Sequence, residues 1–552
     1  MVGCKIDAGR DGQAAPAEQP RDAITSADRG YGLIRQAVCL ALLALPIAAT
    51  AQTTPAPADS LEQRLDRLEK RQQQLEDELR QKDAEIQSLK AQQGAPVPGA
   101  APSAVAAQGG STAPAAAAAG AAAPAVAAAA PAAAPAAPGG TAPVQTGGNV
   151  QAKKWGDYTD FTGFRVANTD KGDMSIALYT YARYLNQKGL DNTYTDAFGN
   201  PPKNVQQRQE VQLQKVQIKF LGWILDPKFR YFLYAWSSNA TQGQPAQVVL
   251  AGNLTYNFNE NFALAGGITS LPGVRSTEGN FPFWLNVDNR MMADEFFRPS
   301  YTSGFWVRGG ITSTLRYMAM IGNNLSTLGV SSAQLDNHFN TLATALIWEP
   351  STGGGGYGIG FGDFEGHQQV ATRVGLHYTR STEDRQSQPN TESIENTQIR
   401  LSDGTGIFTP NIFGPGVAVQ EVRYQMSSLD GGIKYKGLAL EGEVYYRKLD
   451  SFEGVSTAGL RSLYDRGFQV QASAMLIPRT FQVYLAGSYI DGEYGDPWDI
   501  RAGVNWHPWQ NRVFRVNSQV MYLDRSPVGY TSLTYNVGSK GVVFNTDFEL
   551  AL

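Results

Sequence analysis

Cysteine is all but absent. Cys4 and Cys39 are the only two in 552 residues, and both lie ahead of the segment read below as a cleavable leader. Downstream there is no thiol for a disulfide or a Cys-ligated metal. Histidine is nearly as scarce: His338, His367, His377 and His507 are scattered, without the close spacing of a metal site. Basic charge is not in excess. The formal charge is -4 and the pI is near 5.8, which withholds the field that nucleic-acid binding draws on. Beyond residue 52 no apolar run approaches the ~18 residues a membrane-spanning helix needs. The G-x-S-x-G elbow of hydrolases is missing. The G-x-G spacing in "GGGGYGIGFG" (353–362) opens no helical pattern, so it reads as a flexible turn rather than a dinucleotide site. No metal, cofactor or enzymatic role is called for.

Four kinds of segment are present. "RQAVCLALLALPIAATAQ" has Arg35, an apolar stretch from Ala37 to Ala49, and Ala49-Thr50-Ala51 before Gln52. That is the charged start, apolar middle and small-residue cut of a secretory signal, so 1–51 reads as a signal region with an over-extended start and translation beginning nearer Gly30. Residues 60–91 carry Leu65, Gln72, Leu79 and Ile86 at heptad a positions and Leu61, Leu68, Leu75, Lys82 and Leu89 at d. A helix this polar has only copies of itself to bury its stripe against, so a periplasmic coiled coil is expected, of two strands or three. Residues 92–150 are almost wholly Ala, Pro, Gly, Ser, Thr, Val and Gln, an Ala/Pro-rich linker in which repeated proline forbids a continuous helix.

From 151 to 552 the texture is alternation. In "PWDIRAGVNW", Trp498, Ile500, Ala502, Val504 and Trp506 share one strand face, and Asp499, Arg501, Gly503 and Asn505 the other. Segments 468–476, 514–522 and 541–552 repeat the pattern. Read along the chain there are about sixteen such strands, joined alternately by long loops and tight turns. Two phase slips, near Gln214-Lys215 and at Ser428, read as bulges. A soluble sandwich would need helices or a second layer to cover so many apolar faces, and no amphipathic helices occur among them. The fold expected is an all-β transmembrane antiparallel barrel in a bacterial outer membrane. Trp498 to Trp506 spans ~26 Å of strand, or ~20 Å across the bilayer at a ~40° tilt, close to the ~25 Å apolar band between aromatic girdles.

The stretches "KVQIKFLGWILDPKFRYFLYAW" and "LPGVRSTEGNFPFWLNVDNRMMADEFFRPSYTSGFW" resemble the phosphate-selective porin family (O and P type) and related trimeric outer-membrane porins. The resemblance covers roughly 170–552. It implies a sixteen-stranded homotrimeric diffusion channel, with a loop after the fifth strand folded inward and basic side chains attracting anions. Here that loop is 271–300. The chain departs from the family in ending on Leu552 and in the poverty of lysine in the loop.

Alternation assigns a lumen. Lys219, Arg308, Arg373, Arg423, Arg447, Arg501 and Arg515 are expected to line the pore, with Glu441, Glu443, Asp499, Asp547 and Glu549 among them. The constriction loop offers Arg275, Arg290 and Arg298 against Glu278, Asp288, Asp294 and Glu295, opposed charges that would orient dipolar solutes. The function read from this is passive diffusion of small hydrophilic solutes, anions such as phosphate included. The alternative reading is an adhesin or enzyme acting through extracellular loops.

Overall fold

A computed structural model describes residues 156–552, except 200, 206, 241–246, 279–282, 327–338, 359, 385–398 and 530–532. The signal region, the coiled coil and the linker lie outside the described residues.

Sixteen long strands follow one another around a closed antiparallel barrel: β1 (Gly172–Leu190), β2 (Gln209–Ile224), β3 (Asp226–Ala240), β4 (Gln247–Asn259), β5 (Phe262–Ser270), β6 (Tyr301–Gly310), β7 (Leu315–Ser326), β8 (Thr341–Thr352), β9 (Ala371–Asp384), β10 (Ala418–Tyr435), β11 (Leu438–Val455), β12 (Leu463–Ile477), β13 (Phe481–Asp491), β14 (Trp498–Trp506), β15 (Phe514–Asp524) and β16 (Gly541–Ala551). Each pairs with the next, and β16 returns to β1, from Gly541 opposite Leu190 to Ala551 opposite Tyr179. Among the described residues, closure leaves the sixteen-stranded wall without an open edge. A short strand absent from the sequence reading, Gly163–Thr169, takes over the same edge of β1 where β16 ends, with Phe164 opposite Ile176. Leu552 N donates to Leu178 O between them at 2.8 Å, so the seam is continuous.

The short-turn end is built by residues that accept positive φ. Between β10 and β11, Lys436 (φ 48°) and Gly437 (φ 83°) form a two-residue hairpin turn whose twist matches the strands. The bulge expected at Gln214 is present: Tyr181 faces Lys215 and Ala182 faces Leu213, so Gln214 is the extra residue. The bulge expected at Ser428 is not. The β9–β10 ladder runs unbroken from Ala371–Lys434 to Asp384–Glu421.

The burial pattern is inverted relative to a soluble protein. Leu346, Leu376, Leu429, Val444 and Phe468 face one another across five adjacent strands, and every one is more than 40% exposed. On the other face Arg183, Asp547 and Glu549 are fully buried. In the stretch 498–506, Asp499, Arg501 and Asn505 are buried and Trp506 is exposed. A shallow apolar groove of about 870 Å³ lies on this outer wall, lined by Leu440, Leu485, Val504 and Val520 among others.

Candidate functional site: the barrel lumen

The segment 271–300 leaves β5 and returns to β6, with its neck pinched by Leu271 N donating to Ser300 O at 3.0 Å. Between these points it crosses the barrel. Among its described residues are a 3₁₀ turn at Arg275–Thr277 and a short helix, α1 (Met292–Phe297), all buried. This is the loop after the fifth strand, and it folds inward.

Wall arginines hold it by its backbone. Arg515 Nη1 donates to Trp284 O at 2.6 Å and Arg183 Nη2 to Val287 O at 2.9 Å. Arg501 Nη1 and Nη2 donate to Asn289 O and Arg290 O at 3.2 and 2.7 Å. Asn505 reaches Leu285 O at 2.7 Å, and Tyr424 OH reaches Phe297 O at 2.8 Å. Each of these cations also has a carboxylate: Arg183 with Asp547 at 2.6 Å, Arg501 with Asp499 at 2.7 Å, Arg515 with Glu549. A guanidinium has five N–H donors, enough for an acid and a carbonyl at once. Helix α1 seats Phe297 against Gly467, where a Cβ would lie 2.5 Å from the ring, and stacks the same ring on Tyr445 at 5.0 Å.

Within the loop the predicted residues divide into two clusters. Arg290 Nε donates to Ser276 Oγ and Ser276 Oγ to Asp294, both at 2.9 Å. Arg298 donates to Glu295 at 2.6 Å, and Arg290 lies 3.6 Å from the same carboxylate. Burial pushes the Asp294 carboxyl up to about 6, against the pull of Arg290. Asp288 forms an ion pair with Lys215 at 2.7 Å and accepts from Tyr181 OH at 2.6 Å. At the other end Glu278 meets Arg373 at 2.8 Å and Arg316 at 3.3 Å. Burial alone would raise its pKa, but the two guanidinium groups hold it down at about 2. Arg275 lies 3.8 Å from Glu441.

The glycine-rich run 353–362, expected to be a flexible turn, also places side chains and backbone in the lumen. Tyr357 OH and Gly362 N both donate to Glu441, at 2.8 and 2.7 Å, and Lys434 Nζ donates to Gly360 O at 2.7 Å. Phe361 N donates to Phe283 O at 2.7 Å, so the segments entering from the two ends of the barrel touch. Between them a cavity of about 10 Å³ remains, lined by Arg275, Tyr357, Arg373 and Glu443, room for about one water. Long-loop residues pack in as well. Arg447, paired with Asp465 at 2.7 Å, donates to Arg400 O at 2.7 Å, and Gln187 donates to Thr534 O at 2.6 Å.

The predicted lumen bases therefore have three fates. Arg373, Arg447, Arg501 and Arg515 point inward but are buried in ion pairs and loop contacts. Lys219 and Arg308 point inward and keep some exposure. Arg423 is a correction. It shares the outward face of β10 with Leu429 and Ile433 and bridges Asp450 at 2.5 Å. The phase slip assumed at Ser428 had turned it inward. Residues missed by sequence reasoning include Arg183 and Lys215, fully buried, and Arg230, exposed beside inward Phe232 and Tyr234 on β3. The alternation of β3 alone carries a signal for Arg230.

No family model matches the chain, and no curated protein matches it. Among solved structures it is similar to outer-membrane expressed OmpT of Vibrio cholerae, at 9% identity, covering 70% of this chain and 99% of that one, with a TM-score of 0.43. It is similar to Salmonella typhi OmpF in complex with daunomycin, at 13% identity, over 70% and 100% of the two chains, with a TM-score of 0.41. The outer-membrane channel DcaP of Acinetobacter baumannii gives 9% identity, 69% and 99% coverage, and a TM-score of 0.38.

Proposed function

We propose that the chain is a bacterial outer-membrane channel through which small hydrophilic solutes diffuse passively. One observation carries this reading: the closed barrel is apolar where it is exposed and charged where it is enclosed. Apolar side chains gain ~25 cal/mol per Å² on leaving water, so a continuous exposed band of them belongs in hydrocarbon. A barrel of sixteen strands is wide enough for an aqueous path, whereas eight would be filled by side chains.

The path runs along the wall that the inward segments leave least covered. That wall carries Lys219, Arg230, Arg308 and Arg316, all with some exposure. Their charge gives the pore a lean toward anions, phosphate among them. The constriction is 271–300, with Glu278 as its acidic lip at 16% side-chain exposure. The assembly is a homotrimer in outer-membrane lipid. Planar-bilayer recording in KCl tests this. Discrete conductance steps, with a reversal potential of anionic sign under a salt gradient, are expected. Absence of steps overturns the channel, and a cationic reversal potential overturns the anion lean.

A further inference from the structure

A water-filled barrel has a polar interior, yet on the uncovered wall the last inward positions of β2 are Lys219, Leu221 and Trp223, and those of β3 run Arg230, Phe232, Tyr234. Register sets them in rows. Trp223 is opposite Arg230, Leu221 opposite Phe232, and Lys219 opposite Tyr234. Directly opposed side chains share a face with their Cβ atoms ~5 Å apart, and successive rows are ~6.6 Å apart. Arg230 is exposed, Lys219, Leu221, Trp223 and Phe232 are half-buried, and Tyr234 is buried. The Phe232 and Tyr234 rings lie 5.5 Å apart. The result is an apolar, ring-lined strip inside the lumen with a base at either end.

Charge on this wall has one sign. The acids on β2 to β7 are Glu210 and Asp226, both at strand ends. Glu210 holds Arg208 at 3.4 Å, and Asp226 accepts from Lys228 N and Tyr256 OH at 2.8 and 3.4 Å. The acids that other segments bring here are already engaged. Asp288 pairs with Lys215 at 2.7 Å, and Glu278 and Glu349 with Arg316 at 3.3 and 3.0 Å. Asp173 on β1, opposite Trp223, pairs with Arg165 at 3.0 Å. Among the described residues neither Lys219 nor Arg230 has an ion pair within 4.0 Å. The Lys219 ammonium lies 5.8 Å from the centre of the Tyr179 ring instead.

We propose that this strip selects anions that carry an aromatic ring, with the acid group on Arg230 and the ring against Phe232 and Trp223. The inference rests on the channel reading given under the proposed function, and names the class of anion that the uncovered wall takes best. A guanidinium donates charge-assisted bonds to a carboxylate or phosphate. Contact between the solute's ring and those of the wall adds about two- to tenfold. A solute with both groups, the acid attached to the ring directly or through one carbon, uses both features at once. A bare anion uses the base alone, and a neutral ring gains nothing from the charge.

Planar-bilayer recording of the full chain in KCl tests this, with benzoate, acetate, inorganic phosphate and benzyl alcohol added in turn. Benzoate should interrupt the current at a concentration about threefold or more below that of acetate or phosphate, and benzyl alcohol should not interrupt it. Trp223→Leu with Phe232→Leu should bring benzoate to the level of acetate, while the value for acetate stays within about twofold. Arg230→Gln should weaken benzoate and acetate alike. Should the double variant fail to fold, Phe232→Leu alone should lose about twofold or more for benzoate. Equal action of benzoate and acetate on the wild type overturns the proposal, as does a double variant that keeps the preference for benzoate. Failure of the channel reading is separate and shows as absent conductance steps in the wild type. Saturation-transfer NMR of benzoate on the detergent-solubilised chain decides the site in that event: ring signals diminished by Phe232→Leu uphold it, and undiminished signals overturn it.

Discussion

The two halves of the barrel wall use the same side chains differently. Around β9 to β16 and β1, inward arginines are buried, each with a carboxylate and most with a loop carbonyl as well. Around β2 to β7, Lys219, Arg230, Arg308 and Arg316 keep contact with the lumen. An arginine on the inner face of a barrel is thus not evidence of a solute path. What separates a bolt from a lining group is whether another segment covers it. The cost of burying an unpaired charge is several kcal/mol, so a covered arginine must find acids and carbonyls, and here it does.

Breaking the bolted half should have the largest effect. Arg501→Ala leaves Asp499 buried without its cation and strips two loop carbonyls of their donor. A loss of about 3–5 kcal/mol is expected in the unfolding of the detergent-solubilised barrel, together with larger and noisier conductance steps as 271–300 loosens. Overfilling the seat of α1 should do less. Gly467→Val drives a side chain into Phe297, at an expected cost of about 1–3 kcal/mol, again with a noisier open channel. On the other wall, Arg230→Ala with Arg308→Ala should move the reversal potential toward cations while leaving the unfolding transition nearly in place. Equal stability losses on both walls would erase the contrast.

The loop's own chemistry sharpens it further. Asp294 titrates near 6 in the fold against an ordinary 3.8. A raised carboxyl favours the fold while protonated, so the contribution is complete below about pH 4 and is lost as pH rises through about 6. Open-channel noise should increase across that window, and Asp294→Asn should flatten the dependence. The smallest effect belongs to Arg423→Ala. Its ion pair with Asp450 is part-exposed on the outer rim, so a change of no more than about 1 kcal/mol and an unaltered current are expected.

Strand alternation made the inversion legible from the sequence, because a period of two assigns each side chain a face without any knowledge of partners. It failed where a bulge was placed wrongly: a slip assumed at Ser428 sent Arg423 to the wrong side, since one extra residue flips every position beyond it. The division of the arginines was not legible. Arg183 with Asp547, Arg447 with Asp465 and Arg515 with Glu549 are directly opposed cross-strand pairs, visible only once register is known. The first of these joins residues 364 positions apart. The inward path of the 353–362 run was hidden for a related reason. Its glycines read as freedom, but its place is set by Glu441 and Lys434 on strands far along the chain.

The most direct test of the inverted barrel with one uncovered wall is cysteine accessibility in a conducting bilayer. Arg308→Cys and Val504→Cys are each made in a chain whose only native cysteines are Cys4 and Cys39, both replaced by serine. A charged, water-borne thiol reagent should reduce the current through the position 308 variant and leave the 504 variant untouched, while a lipid-soluble maleimide labels 504. Block through position 504 with no response at 308 would contradict the account.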